Sequence, residues 1–174
     1  MKLGIISDTH ITNDYNKKGV SNLIKHIKEA FKDVDQIVHA GDVCDIFFLN
    51  EIKKIAPTIC VKGNLDNINS LDLFTKLSVG KYNIGVIHLL PDSIEEFAKR
   101  HDLNILIFGH THQPVIKGTE FNLLLLNPGS PTKPKAPPER LGFMKPIARP
   151  SVMVLNIDEN DIVSAFIINL KIQV

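Results

Sequence analysis

Short apolar runs alternate with segments of helical periodicity along the first third of the chain. Leu3–Ile6, Gln36–His39 and Thr58–Val61 are brief runs dominated by apolar residues. Such runs are typical of strands that are buried on both faces of a sheet. Val20–Phe31 and Ile46–Ile55 lie between them, and their apolar residues recur at the spacing of one helix face. The order βαβαβ predicts a parallel sheet with right-handed crossovers.

Polar residues indicate where the helices begin. Ile11–Lys18 is rich in asparagine and lysine and predicts a loop, and Ser21 is a suitable N-cap for the first helix. Asp92–Arg100 predicts a third helix, with Asp92 or Ser93 near its cap.

The second half of the chain predicts antiparallel strands. Apolar runs there flank short turns that contain glycine, asparagine or aspartate, as hairpins do. The predicted pairs are Phe74–Val79 with Tyr82–His88, Val115–Lys117 with Phe121–Leu126, and Ser151–Ile157 with Ile162–Leu170. Ile105–Phe108 predicts one more strand. The expected fold class is therefore α/β (α+β), with parallel and antiparallel strands combined.

The segment Asn127–Pro150, called the proline-rich loop below, differs in composition from the rest. It contains seven of the ten prolines and five basic residues, Lys133, Lys135, Arg140, Lys145 and Arg149. Proline excludes regular helix and central strand, so we expect an irregular loop, which at this length is usually functional or disordered. The strand pair that follows is too short to fold alone, so residues 1–174 are expected to form a single domain.

Composition restricts the class of protein. The 174 residues are 44% apolar and 22% charged with a net charge of +1, which is typical of a globular domain without a general attraction to nucleic acid or anionic lipid. No stretch has the length and apolarity of a membrane span, and we expect no signal peptide. Cys44 and Cys60 do not have the spacing of a zinc motif, which favours reduced thiols and a cytoplasmic location.

Residues that can bind metals follow five of the predicted strands. They are Asp8 and His10, Asp42, Asn64, His88, and His110 with His112. The carboxyl ends of strands are where α/β folds bind ligands, and oxygen ligands combined with imidazoles suit Mn, Fe, Zn or Ni. Seven ligands are too many for one tetrahedral ion but suit two ions that share a carboxylate, an arrangement found in many hydrolytic enzymes.

The motifs around these residues resemble those of the calcineurin-like metallophosphoesterase superfamily. They occur in the family's order as Asp8-Thr9-His10, Gly41-Asp42, Gly63-Asn64-Leu65-Asp66, His88 and Gly109-His110-Thr111-His112. The short chain and the segment Asn127-Pro128-Gly129-Ser130 are most similar to the small YfcE-type phosphodiesterases.

The resemblance implies a fold and a set of roles. The fold would be two packed mixed β-sheets flanked by helices, a four-layer sandwich. One ion would be held by Asp8, His10 and His112 and the other by Asn64, His88 and His110, with Asp42 as the bridge. Asp42, Asn64 and His88 would also serve catalysis. The cofactor would be two divalent ions, with manganese first and nickel, zinc or iron as alternatives.

The function implied is a dinuclear-metal-dependent phosphoesterase that hydrolyses a small phosphodiester by attack of a metal-bridging hydroxide. The alternative is a non-catalytic metal-binding interaction scaffold of the same fold, as in the retromer subunit that resembles the family but has a degraded metal-site pattern. No ligand position is degraded here, which favours the enzyme. A nuclease would need an extended basic groove, so a nucleic-acid partner is disfavoured. Exposed sheet edges would permit a homo-oligomer.

Two positions depart from the family pattern. Leu65 stands where the family often has histidine, and Leu89-Leu90-Pro91 follows His88 where Gly-His is common. Both changes remove polar groups near the ligands but no ligand. Since Leu65 cannot donate a proton or a hydrogen bond, we expect diesters to be preferred over monoesters.

The remaining candidates have a structural interpretation beside the functional one. His39 is expected to be a hydrogen-bonded core histidine or a support for a ligand, and Asp66 either orients its turn or caps a following one. Cys44 could lie near the site, although a small buried hydrophobe is the favoured interpretation, and His26 and His101 are expected to be solvated. The basic residues of the proline-rich loop are either solvated or contact the distal part of an anionic substrate.

Overall fold

The computed structural model describes residues 1–12 and 16–172. Within these residues the elements, in chain order, are β1 (Lys2–Ile6), α1 (Lys17–Ala30), β2 (Gln36–His39), α2 (Ile46–Lys53), β3 (Thr58–Cys60), β4 (Phe74–Val79), β5 (Tyr82–Ile87), α3 (Ile94–His101), β6 (Ile105–Ile107), β7 (Pro114–Gly118), β8 (Leu124–Pro128), β9 (Ser151–Ile157) and β10 (Val163–Asn169).

The strands form two five-stranded mixed sheets. The order is β10-β9-β1-β2-β3 in the first sheet and β4-β5-β6-β8-β7 in the second. The pairs β1–β2 and β2–β3 are parallel, as the βαβαβ pattern predicts, while β9 runs antiparallel to both β1 and β10. In the second sheet β6 lies parallel between β5 and β8, and antiparallel strands form both edges. The predicted mixed fold class is confirmed.

The burial of β1 on both faces explains how the first sheet packs. Leu3 and Ile5 lie in the core between the two sheets, together with Ile84 of β5. Ile6 points the other way and packs in a second core with Ile27 of α1 and Phe48 of α2. Because successive side chains of a strand point to opposite faces, a continuous apolar run serves both cores.

The second sheet is covered on its outer face by α3. Ala98 of this helix is buried in a third core together with Leu106 of β6 and Phe108, which directly follows β6. The order of layers is thus α1 with α2, the first sheet, the second sheet and α3. This agrees with the expected four-layer sandwich.

The beginning of α1 differs from the prediction. The helix begins at Lys17 rather than Val20, because the side chain of Asn16 accepts a hydrogen bond from the Lys18 backbone N–H at 3.0 Å and acts as the cap. The assignment of Ser21 as the cap was wrong, and the predicted loop Ile11–Lys18 extends too far. Its residues 13–15 lie outside the described part of the chain. The cap of α3 is Ser93, one of the two residues predicted for it.

The proline-rich loop also begins later than predicted. Asn127 and Pro128 still belong to β8, because they remain paired with Val115 and Pro114 of the antiparallel neighbour β7. The segment is irregular from Gly129 to Pro150. Among the helices of the described residues, none is long and apolar enough to cross a membrane.

Gly4 provides the space into which Phe31 packs. A Cβ built on Gly4 would lie 2.8 Å from Cγ of the buried Phe31 ring, at the end of α1. We expect Gly4→Ala to lower the free energy of unfolding by about 1–3 kcal/mol through overpacking. Because a smaller side chain removes the overlap, Gly4→Ala should cost less in a Phe31→Leu background. Urea denaturation measures both values.

Gly118 is the matched control for this substitution. It lies in a strand as Gly4 does, but a Cβ there would meet no described atom within 4 Å. Gly118→Ala should change the free energy of unfolding by less than about 0.5 kcal/mol. Equal losses at the two glycines would contradict the packing account.

Candidate metal centre

The seven predicted ligands come together from loops that follow β1, β2, β3, β5 and β6. Nε2 of His10 lies 3.1 Å from Nε2 of His112. Oδ1 of Asn64 lies 3.0 Å from Nε2 of His88 and 3.1 Å from Nδ1 of His110. The side chains thus form two groups, which match the two predicted ligand sets. Their role as ligands stays a prediction.

The two carboxylates lie between these groups. Asp8 Oδ1 is 3.4 Å from His112 Nε2 and 3.9 Å from His10 Nε2. Asp42 Oδ2 is 3.4 Å from His88 Nε2 and 3.8 Å from His10 Nε2, so it reaches one imidazole of each group. This is the position that a bridging ligand requires. Asp8 also lies within 4.8 Å of the ligand atoms of Asp42 and His88, which the sequence did not indicate.

Hydrogen bonds fix the orientation of two imidazoles. Nδ1 of His88 donates to the Ala40 carbonyl at 2.8 Å, and Nδ1 of His112 donates to the Lys133 carbonyl at 2.7 Å. Because a carbonyl oxygen can only accept, the proton of each neutral ring lies on Nδ1, and the Nε2 lone pair faces the other ligands. Convergent imidazole nitrogens and carboxylate oxygens suit a borderline divalent ion, so these residues fit a metal.

The backbone adopts a rare conformation at the predicted ligands. Five of them have positive φ angles, namely Asp8 (54°), His10 (46°), Asp42 (57°), His110 (66°) and His112 (60°). Such angles cost of order 1–3 kcal/mol for residues other than glycine and persist only where surrounding contacts hold them. Here the Asp8 N–H donates to the Gly41 carbonyl and the His10 N–H to the Asp42 carbonyl, both at 3.0 Å.

Two motif glycines allow close approach to the carboxylates. A Cβ on Gly63 would overlap the carboxylate and the amide of Asp42. A Cβ on Gly109 would overlap the Ser7 hydroxyl and lie 2.9 Å from Oδ2 of Asp8. In the Gly-Asn and Gly-His motifs, packing therefore requires the glycine, whereas the residue after it is the candidate ligand.

Asp66 orients the loops that carry ligands. Its buried carboxylate accepts hydrogen bonds from the backbone N–H groups of Asp42 at 2.9 Å and Gly63 at 2.7 Å through Oδ2, and of Cys44 at 2.7 Å through Oδ1. These bonds join the loop after β3 to the loop after β2. Of the two interpretations of Asp66, the orienting one is correct.

The first residues of the proline-rich loop support the loop after β1. Oγ of Ser130 donates to the Asp8 carbonyl at 2.7 Å, and Oγ1 of Thr132 donates to the Thr9 carbonyl at 2.9 Å. Asn127 donates from Nδ2 to the Gly109 carbonyl at 2.8 Å. Sequence reasoning missed Ser130 and Thr132 as supports, although the Asn-Pro-Gly-Ser segment indicated that this region matters.

The protonation of the centre follows from burial and hydrogen bonding. Burial raises the pKa of Asp8, and the Ser7 hydroxyl and the nearby imidazoles offset it only in part. Burial also acts to raise the pKa of Asp42, but the hydrogen bond that His88 donates when its ring is protonated and the hydrogen bond from the Leu65 N–H outweigh it, and the pKa is lowered. Burial lowers the pKa of His10 to about 4, so its ring is neutral near pH 7.

His88 behaves differently from His10. Burial acts to lower its pKa, but its hydrogen bonds to Asp42 and the Ala40 carbonyl outweigh burial and raise the pKa. A proton and a divalent ion would therefore compete for the pair formed by His88 and Asp42.

His39 supports the centre from the core. It is fully buried, Nε2 lies 3.1 Å from Oγ1 of Thr9, and Nδ1 has no hydrogen-bond partner among the described residues. Burial lowers the pKa of His39 to about 4, so the ring is neutral near pH 7. This agrees with the prediction of a core histidine.

Three other candidates can now be placed. Cys44 is only partly buried, and Sγ lies 3.8 Å from His10 Nδ1, so the prediction of a buried hydrophobe was wrong. Burial still raises the pKa of this thiol to about 11. His26 is half-buried on α1, and its Nδ1 lies 2.9 Å from the carbonyl oxygen of Asn22, so it is less solvated than predicted. His101 is half-buried rather than fully solvated, because its ring packs with its centroid 4.6 Å from that of Phe74 and 4.5 Å from that of Phe97.

Comparison with known proteins agrees with the motifs and the fold. The family model of the calcineurin-like phosphoesterase superfamily domain matches residues 1–159. A probable metallophosphoesterase from Methanothermobacter thermautotrophicus is 35% identical over 166 residues, which cover 91% of this chain and 87% of the relative. The chain therefore belongs to the calcineurin-like phosphoesterase superfamily, whose members bind divalent metals.

Solved structures of similar fold include enzymes and a sorting protein. An archaeal phosphodiesterase superposes with a TM-score of 0.68 at 25% identity, covering 97% of this chain and 100% of its own. YfcE, a phosphoesterase from E. coli, superposes with a TM-score of 0.62 at 20% identity, covering 98% of this chain and 100% of YfcE. Vps29 from Entamoeba histolytica, solved with Zn²⁺, superposes with a TM-score of 0.67 at 22% identity, covering 97% of this chain and 99% of Vps29.

Asp66→Asn tests the orienting role of this carboxylate. The substitution places an amide group against three backbone N–H groups that need an acceptor, so the ligand loops should lose their relative position. We expect the affinity for Mn²⁺ to fall by roughly 10–100-fold, as it does when groups that orient ligands are removed. Calorimetric titration measures it. The exposed Asp72 provides the control, since Asp72→Asn should leave the affinity unchanged; an unchanged affinity in Asp66→Asn would exclude the role.

Proposed function

We propose that this protein is a phosphodiesterase that depends on two divalent metal ions. The observation that carries the proposal is the position of Asp42, whose Oδ2 lies within 4 Å of Nε2 of His10 in one group and of His88 in the other. A shared carboxylate between two sets of ligands is the arrangement of dinuclear hydrolytic centres. Asp8, His10 and His112 would hold one ion, Asn64, His88 and His110 the other, and Asp42 both.

Two bound ions would supply a water of lowered pKa and would offset the charge of the phosphoryl oxygens. The chain prepares the site for them by orienting Asp42. Its Oδ1 accepts the Leu65 N–H at 2.9 Å, which leaves Oδ2 toward the two imidazoles. Asp8 and Asp42 are buried, whereas Asn64 and His110 are exposed, so substrate would approach from the side of Asn64 and His110.

Phosphodiesters are the proposed substrates because of Leu65. The side chain is 55% exposed beside Asn64 and offers neither a proton nor a hydrogen bond. A monoester dianion needs more polar donors than a diester monoanion, so a leucine here disfavours monoesters more. The similarity to an archaeal phosphodiesterase supports this choice. We propose manganese as the native metal, with nickel, zinc and iron as the alternatives that the ligand set allows.

A non-catalytic scaffold is the second candidate, since the fold is also that of Vps29. The convergence of all seven predicted ligand side chains favours the enzyme. A cytoplasmic location is proposed from the two free thiols Cys44 and Cys60. A homo-oligomer formed through the open sheet edges is proposed as well, and nucleic acid is not proposed as a partner.

Asp42→Ala should remove both metals and abolish turnover. Because one carboxylate contacts both groups, its loss is expected to lower the bound metal from two ions to fewer than one, as elemental analysis measures, and to reduce hydrolysis of bis(4-nitrophenyl) phosphate at least 10³-fold. Asp33 lies on an exposed turn, so Asp33→Ala is the control and should retain both the bound metal and the activity. Two bound ions together with near-normal activity in Asp42→Ala would refute the dinuclear assignment.

Leu65→His should shift the substrate preference toward monoesters. An imidazole at this exposed position can donate a proton or a hydrogen bond, a contribution worth roughly 10²–10⁴-fold in general acid catalysis. We expect the ratio of kcat/KM for 4-nitrophenyl phosphate to that for the bis-ester to rise at least tenfold. Glutamine can donate a hydrogen bond but not a proton, so comparing Leu65→Gln with Leu65→His separates the two contributions. A wild type that already prefers monoesters would contradict this account of Leu65.

A further inference from the structure

A cleft that the family motifs do not explain adjoins the candidate metal centre. Its volume is about 370 Å³, and Asn64 and His88 line one side of it. The other walls are mainly carbon, contributed by Leu73, Phe74, Ile87, Leu89, Pro91 and Phe97. Because Asn64 and His88 belong both to this cleft and to the predicted ligands, a group bound here would lie directly beside a phosphate at the centre.

The base of the cleft is already formed. The rings of Phe74 and Phe97 meet edge to face with centroids 5.3 Å apart, and the His101 ring packs against both. Aromatic groups packed in this way present ring edges and faces to an aromatic ligand without rearrangement. Little ordering would be needed on binding, which favours affinity.

The rim of the cleft exposes apolar side chains. Leu73 is 73% exposed and Leu89 is 49% exposed. Contiguous apolar surface next to a polar site usually marks a place where a ligand or partner binds. Lys62 is the one charged residue among the described residues that line this cleft. The walls therefore suit an uncharged group rather than a sugar or a second phosphate.

We propose that this cleft binds an uncharged aromatic ester group of the substrate. The inference rests on the proposed function for the statement that the group is attached to a phosphate. A closed cavity of about 150 Å³ holds benzene, so the cleft is large enough for one ring and its ester linkage. Specificity for aromatic phosphodiesters would then come from this cleft, while the metal centre would act on the phosphate alone.

Two small probes that differ in one group test the proposal. Phenylphosphonate and methylphosphonate carry the same anionic group, but only the first can fill the cleft. With the Mn²⁺-loaded protein we expect phenylphosphonate to inhibit hydrolysis of a nitrophenyl diester with an inhibition constant about tenfold lower, the factor expected when roughly 60 Å² of apolar surface leaves water. Equal inhibition constants would overturn the proposal and leave the proposed function intact.

Substitutions at the rim locate the effect. Leu73→Ser and Leu89→Ser change exposed side chains, so folding should be preserved, and both should reduce the tenfold preference to less than about threefold. Leu141 is a fully exposed leucine in the proline-rich loop and serves as the matched control. Leu141→Ser should keep the preference. If the rim variants keep it as well, the aromatic group binds elsewhere and the proposal is wrong.

A binding measurement separates this inference from the proposed function. Methyl resonances of Leu73, Ile87 and Leu89 should shift in NMR titrations with phenylphosphonate and not with methylphosphonate, whether or not the protein hydrolyses diesters. Shifts without turnover would support the cleft and refute the phosphodiesterase. Turnover without shifts at these methyl groups would support the enzyme and refute the cleft.

Discussion

Two backbone hydrogen bonds between the loops after β1 and β2 determine where the candidate centre forms. The N–H groups of Asp8 and His10 donate to the carbonyls of Gly41 and Asp42 and so continue the parallel pairing of β1 with β2 beyond the strand ends. Each of these loops turns through left-handed residues, which aims Asp8, His10 and Asp42 at a common space. The loops after β3, β5 and β6 then pack against this pair, through Asp66, His88 and Gly109.

This geometry brings two carboxylates together in a buried place. Placing like charges side by side away from water is unfavourable unless opposite charges or hydrogen-bond donors compensate. Asp8 accepts a hydrogen bond from the His110 N–H, and Asp42 accepts one from the Leu65 N–H. The imidazoles of His10, His88 and His112 lie within 4 Å of these carboxylates. Divalent cations would balance the remaining negative charge, which is why the centre suits metal binding.

The sequence predicted the elements better than their supports. The strands and the candidate ligands could be predicted locally, because an apolar run that ends in aspartate or histidine is itself the signal. The cap of α1 was missed because Asn16 competes with Ser21 for the same role, and only the fold decides between them. Ser130 and Thr132 bond to residues more than 120 positions earlier in the chain, and no local pattern indicates such contacts. The cleft beside Asn64 is formed by residues from separate segments and could not be read from any one of them.

The position of β9 affects how the protein must be made. β1 lies between β2 and β9, so the first strand of the chain pairs on one side with a strand that ends at Ile157. During synthesis β1 and β2 can pair early, but the other edge of β1 stays open until β9, which ends at Ile157, has been made. The supports from Ser130 and Thr132 to the loop after β1 also arrive late. Contacts of such long range slow folding. The loops that carry the candidate ligands can therefore become ordered only after the proline-rich loop and β9 have been made.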